Sequence, residues 1–239
     1  MKTLITPALI LSTLFSTAQR QQYQMSIPIL NCQKTTESGE DEIYFIIVTR
    51  TSSGTTTNIR VPFDGHININ DTRHEEKPDP TPTFWRVGPV LDFELADNES
   101  IEIICNVMEQ DDGTPEQYQS VGDEILAKSR RTRHGIFPSI NSDVYKGIIA
   151  NIASTNHLDN SDDWIGSIAY RISRMGESLH TTFRRIDNPN SSGGLSQVNT
   201  GSPSLPAGKK LANGQNNYVS FDLTGDGSKY DVEVAICTQ

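Results

Sequence analysis

Alternation of apolar and polar residues is clearest near the end of this chain. In "NYVSFDLTGDGSKYDVEVAI" (217–236), Phe221 and Leu223 alternate with polar residues before the turn TGDGS, and Tyr230, Val232, Val234 and Ile236 do so after it. A period of two on both sides of a glycine-rich turn predicts a hairpin with one buried face. Two other stretches, "DEIYFIIVTR" (41–50) and "IEIICNVMEQ" (101–110), are almost wholly apolar and rich in β-branched residues, as buried strands are. Shorter strands are expected in "TTTNIRVPF" (55–63), after the connection at Gly54, in "FWRVGPVLDFEL" (84–95) as one or two pieces around Gly88, in "WIGSIAYRIS" (164–173) and in "HTTFRRI" (180–186). Turn formers and prolines over 64–83 predict a long loop.

The period changes in the middle of the chain. "PEQYQSVGDEILAKSRR" (115–131) places Tyr118, Val121 and Ile125 at helical spacing, with acids early and bases late, as a helix dipole favours. "NSDVYKGIIANIAS" (141–154) places Val144, Ile148 and Ile152 on a second helical face. Residues 113–158 therefore read as a two-helix insertion between strands. Residues 187–217, dominated by Asn, Ser, Gly and Pro, read as a flexible loop too polar to pack. The fold expected is all-β: one antiparallel β-sandwich over 41–239 carrying the helical insertion. The Gln-rich segment after residue 18 reads as an N-terminal lead-in over 19–40, disordered or loosely docked.

The first 18 residues change the picture of where the protein works. "MKTLITPALILSTLFSTA" has a basic Lys2, an apolar run from Leu4 to Phe15, and small residues Ser16 and Ala18 at the −3 and −1 positions. This is the pattern of a secretory signal peptide cleaved after Ala18, and the run is too short and interrupted for a membrane anchor. The expected location is secreted, extracellular or periplasmic, with no later segment able to span a bilayer. Removing residues 1–18 takes away Lys2 and no acid, so the formal charge goes from −10 to −11. That balance repels phosphate backbones and argues against a nucleic-acid partner. Of the three cysteines, Cys105 sits mid-strand and reads as an inert buried thiol, while Cys32 and Cys237 can pair if the chain ends meet.

Acids collect at predicted strand ends: "GEDEIY" before the first buried strand, "EQDDG" after the second, and "DNSDDW" before the strand that follows the insertion. Hard divalent cations take several oxygen ligands, and loops at one end of a sandwich bring together residues far apart in sequence. The alternative is a set of solvated acidic turns. The turn "LTGDGSKYD" lacks the EF-hand pattern and reads as a hairpin turn.

At these residues the chain resembles the C2 domains, Ca²⁺-dependent phospholipid-binding β-sandwiches. Their third binding loop usually reads Asp-x-Asp, a short spacer, then Asp-x-Ile/Leu-Gly opening the next strand. "EQD" (109–111) is similar to the paired acids, with Glu109 for the first Asp, and "DWIG" (163–166) is similar to the closing motif. "DEIYFIIV" looks like the end of the family's first binding loop, with Asp41 or Glu42 near the acidic position and no proline. The spacer departs from the family, since residues 112–162 stand where a few are usual, and no second acid for the first loop is apparent. The resemblance implies a Ca²⁺ site made by Glu109, Asp111 and Asp163, helped by Asp41 and Asp162.

No nucleophile elbow, H-E-x-x-H, P-loop or dinucleotide fingerprint is present, and the histidines stand singly in polar stretches. The expectation is a binding module and not an enzyme. Its partner is an unidentified protein, glycan or lipid surface. Two rivals remain: a secreted hydrolase with loop-borne carboxylates or histidines, and a structural surface protein without a small ligand. "KSRRTRHG" (128–135) is the concentrated basic patch, either a helix end or a protease-sensitive sequence. Asn70, Asn98 and Asn190 head N-x-Ser/Thr sequons in predicted turns.

Overall fold

The computed structural model describes residues 19–35, 40–63, 65–70, 84–110, 122–123, 126–127, 163–187, 217–225 and 227–239. They form eleven strands: β1 (Gln21–Lys34), β2 (Asp41–Thr51), β3 (Thr56–Val61), β4 (Ile67–Ile69), β5 (Phe84–Trp85), β6 (Gly88–Leu95), β7 (Ser100–Glu109), β8 (Asp163–Met175), β9 (Ser178–Asp187), β10 (Asn217–Gly225) and β11 (Ser228–Thr238). One sheet runs β10-β11-β1-β5, with β6 also pairing β1; the other runs β3-β2-β7-β8-β9, with β4 also pairing β2. Every ladder is antiparallel. Residues from both sheets form a single core that includes Met25, Ile27, Phe45, Ile47, Ile103, Ile168, Tyr170, Leu223 and Val232. This is the expected all-β sandwich.

The lead-in expected over 19–40 is a correction: most of it is β1, the strand between β11 and β6 in the middle of its sheet. Its Gln content misled, because Gln22, Gln24 and Gln33 lie on the outer face while Tyr23, Met25, Ile27, Leu30 and Cys32 enter the core. The parity changes at a register shift between Ser26 and Ile29, which breaks the period of two in the sequence. The outward amides bond to acids of neighbouring strands: Gln22 to Glu94 (3.1 Å), Gln24 to Asp92 (2.9 Å) and Asn31 to Asp231 (3.3 Å).

The loop expected over 64–83 contains β4, which extends the β3 edge of β2. The strand expected over 84–95 is two, divided at Gly88, whose φ of 84° suits glycine.

Cys32 and Cys237 do not pair, although the chain ends meet. In the β1–β11 ladder, Cys32 faces Tyr230 and Cys237 faces Gln24, eight positions further along β1. At a strand's rise this is roughly 26 Å, against at most about 7 Å between the Cα atoms of a disulfide. None of the three cysteines is in a disulfide.

The sheet of β2, β7 and β8 is buried on both faces. Tyr44, Ile46, Val48, Ile104, Met108, Trp164 and Ala169 are buried, yet alternate with the core residues and so face away from the other sheet. On that outer face Asn106 donates to the Ile46 carbonyl (3.0 Å), Ser167 donates to Asn106 Oδ1 (2.6 Å), and Trp164 Nε1 donates to Ser167 Oγ (2.9 Å). The Arg60 guanidinium lies 4.7 Å from the centre of the Tyr44 ring. Helical residues Gly122, Asp123, Leu126 and Ala127 are on this side: Leu126 is buried, and Asn58 donates to Asp123 Oδ1 (3.2 Å). The rest of the insertion expected over 113–158, and the loop between residues 187 and 217, lie outside the described residues.

Candidate functional site

Three of the five acids singled out in the sequence are brought to one end of one sheet. Asp41 opens β2, Glu109 closes β7 and Asp163 opens β8, with β7 lying between the other two. Glu109 faces Asp163 across one ladder and Ile43 across the other, so Asp41 lies two residues beyond Glu109's partner at the same end. Antiparallel pairing requires this, since one strand's exit is its neighbours' entrance. Asp111 and Asp162 lie outside the described residues.

Asp41 and Glu109 continue the core-facing parity of Ile43, Phe45 and Val107, and they are 0% and 2% exposed. Carboxylates at such positions require counter-charge or hydrogen bonds, because leaving water costs an ion several kcal/mol. Asp41 finds a donor on the opposite sheet, the Tyr230 hydroxyl of β11, through its Oδ2. Burial, then the Asp41 carboxylate and the neighbouring Cys32, drive the Tyr230 phenol far above its ordinary pKa, so it stays a donor. Glu109 Oε1 lies 3.4 Å from the Glu42 backbone nitrogen, and Gln110 N–H donates to the Glu42 carbonyl (2.8 Å), closing the β2–β7 ladder.

Glu42 points the other way, to His66 Nδ1 at 3.2 Å, and Arg60 Nη2 donates to Gln110 Oε1 (3.1 Å). These form a polar margin on the β3–β4 side. On the β8 side the β10–β11 turn closes down. A Cβ at Gly225 would stand 2.3 Å from the Ile165 carbonyl oxygen and 2.6 Å from its Cα, so only glycine fits. Ser228 Oγ donates back to the Gly225 carbonyl (2.6 Å), fixing the turn. The end of the sandwich therefore gathers the first residues of β2 and β8, the last of β7 and the closing hairpin.

Among the described residues, no group of three or more His, Cys, Asp or Glu forms a metal-holding cluster. Asp41 and Glu109 supply two buried carboxylates near one another in register, and a hard cation of the Ca²⁺ class would need further oxygens from the 111–162 side or from strand-end carbonyls.

Sequence reasoning missed Tyr230 as a partner of this end, although its inward parity in the last strand pair is visible. Trp85 is 40% exposed and donates its indole N–H to the Asn68 carbonyl (2.7 Å); Trp164 is buried on the outer face. Of the sequon residues, Asn98 is exposed in a turn, Asn70 is buried, and Asn190 lies outside the described residues, as does the basic stretch 128–135.

No helix among the described residues is long and apolar enough to cross a membrane. A scan of protein-family models finds no match to this chain, and a search of curated proteins finds none either.

Proposed function

We propose that this protein is a secreted binding module, a C2-like β-sandwich whose acidic end takes up Ca²⁺ and through it engages an anionic surface. The observation that carries the reading is the convergence of Asp41, Glu109 and Asp163 on adjacent strand ends, two of them buried on a face otherwise given to apolar residues. In this reading Glu109, Asp111 and Asp163 are the main ligands, Asp162 completes the rim, and Asp41 adds negative charge from beneath while Tyr230 holds it in place. The chain's net charge of −10 suits an ion that bridges to another anionic group.

The long spacer fits the same architecture. The second apolar face of β2, β7 and β8 needs a cover, and the helical residues Gly122, Asp123, Leu126 and Ala127 lie on that side. We infer that the insertion 113–158 forms that cover, leaving from Glu109 and returning at Asp163 beside its own starting point. Ca²⁺ bound by the two feet of the insertion would clamp it to the sandwich.

Direct binding tests this. Equilibrium dialysis of the exported protein against Ca²⁺ is expected to give saturable binding that Asp111→Asn together with Asp163→Asn abolishes. Absence of binding at millimolar Ca²⁺ would leave the sandwich and remove the ion.

A further inference from the structure

The first strand, β1, starts at Gln21, shortly after the signal-peptide pattern that ends at Ala18. Cleavage after Ala18 leaves Gln19 as the first residue, two positions before β1. Gln19 is exposed, and its carbonyl accepts from Arg174 Nη1 at 2.5 Å. Arg20 is anchored in turn, donating to the Glu94 carbonyl (3.1 Å) and to Glu99 Oε2 (2.8 Å). The Gln19 carboxamide makes no hydrogen bond among the described residues, so the side chain is available while the main chain is held.

We propose that the mature N-terminus is a pyroglutamyl group formed from Gln19. This rests on the export part of the proposed function and is independent of the cation. The lone pair of the freed α-nitrogen attacks Cδ of the same residue, an N–Cδ bond forms, the Cδ–Nε2 bond breaks, and Nε2 leaves as ammonia with the proton lost by the amine. Both reacting groups belong to one residue, and a five-membered ring closes, so the step is intramolecular and needs no co-reactant.

Cyclisation is compatible with the hydrogen bonds that hold this end of the chain. An α-ammonium on residue 19 would stand beside the Arg174 guanidinium, whose acceptors are the carbonyls of Gln19, Leu95 and Gly176 rather than an acid. Arg20, the other cation here, is matched by Glu94 and Glu99. Cyclisation removes the charge and leaves the α-carbonyl of residue 19, and with it the Arg174 hydrogen bond, unchanged. The lactam has no free amine for an aminopeptidase to engage, at the end of a strand central to its sheet.

The test is the intact mass of the exported protein after expression of the full chain in a secreting host and incubation at neutral pH. The expected mass is that of residues 19–239 less one ammonia, and digestion with a pyroglutamyl peptidase is expected to remove one residue. A Gln19→Ser variant is expected to keep the unmodified mass. A chain starting at Gln19 that retains its free amine would overturn the inference while leaving export intact. A chain starting elsewhere would overturn both the cleavage position and the inference.

Discussion

The Tyr230 hydroxyl of β11 donates to the Asp41 carboxylate of β2, joining the two sheets at the end where the candidate site lies. Tyr230→Phe removes that donor and leaves a buried carboxylate less well satisfied. The expected loss is about 1–3 kcal/mol, read as a lower urea midpoint at unchanged slope. An unchanged midpoint would show that the bond contributes nothing net.

The same residue gives a pH dependence. The folded-state pKa of Tyr230 lies far above the unfolded value of about 10. Its contribution is therefore fully present below about pH 10 and is lost as pH rises above that, where the unfolded chain releases the proton and the folded one keeps it. Unfolding free energy is expected to fall above about pH 10, with a shallower slope in Tyr230→Phe. The buried Tyr170 and Cys105, raised in the same direction, contribute to the slope that remains.

Thiol chemistry checks the β1–β11 register. Cys105 is fully buried and its thiol is pushed up to about 12 by burial, so it is expected to resist a maleimide until the protein unfolds. Cys237, partly exposed, is expected to label first. Reductant is expected to leave the unfolding midpoint unchanged. A midpoint that fell on reduction would require a disulfide that this register forbids.

Met25 lies fully buried in β1, whereas Gln24 beside it faces outward to Asp92. Met25→Ala is expected to cost about 2–5 kcal/mol and Gln24→Ala no more than about 0.5 kcal/mol. Denaturant titration of the two variants measures the contrast, and equal costs would contradict the placement of β1 as a core strand.

Gly225→Ala drives a methyl group into the Ile165 backbone. Backbone cannot yield as a side-chain tip can, so a loss of about 1–3 kcal/mol in thermal unfolding is expected. A neutral result would mean that the hairpin does not press on the start of β8.

These contrasts show where the sequence was informative. The apolar run 41–50 was legible as a strand because both faces of β2 are buried: Ile43, Phe45 and Ile47 in the core, Tyr44, Ile46 and Val48 on the other side. The hairpin of β10 and β11 was legible because its alternation is unbroken around a glycine turn. β1 was hidden, since its bulge shifts the period midway and its glutamines serve as outward partners for acids distant in sequence. The acids at strand ends could be seen to share one end of the sandwich. The Tyr230–Asp41 bond could not, because it depends on how the two sheets are stacked. The pairing of Cys32 with Cys237 failed on strand direction, which composition does not encode.

The central claim is that an ion binds the folded sandwich at Asp41, Glu109, Asp111, Asp162 and Asp163. Thermal unfolding of the exported protein, first in EDTA and then in millimolar Ca²⁺, tests it most directly, since a ligand of the folded state alone must raise the midpoint. At free Ca²⁺ about 100 times Kd the gain is about 2.7 kcal/mol, or roughly 5–11 °C for a chain of this size. The account predicts such a rise, lost in the Asp111→Asn, Asp163→Asn double variant; identical midpoints in EDTA and Ca²⁺ would contradict it.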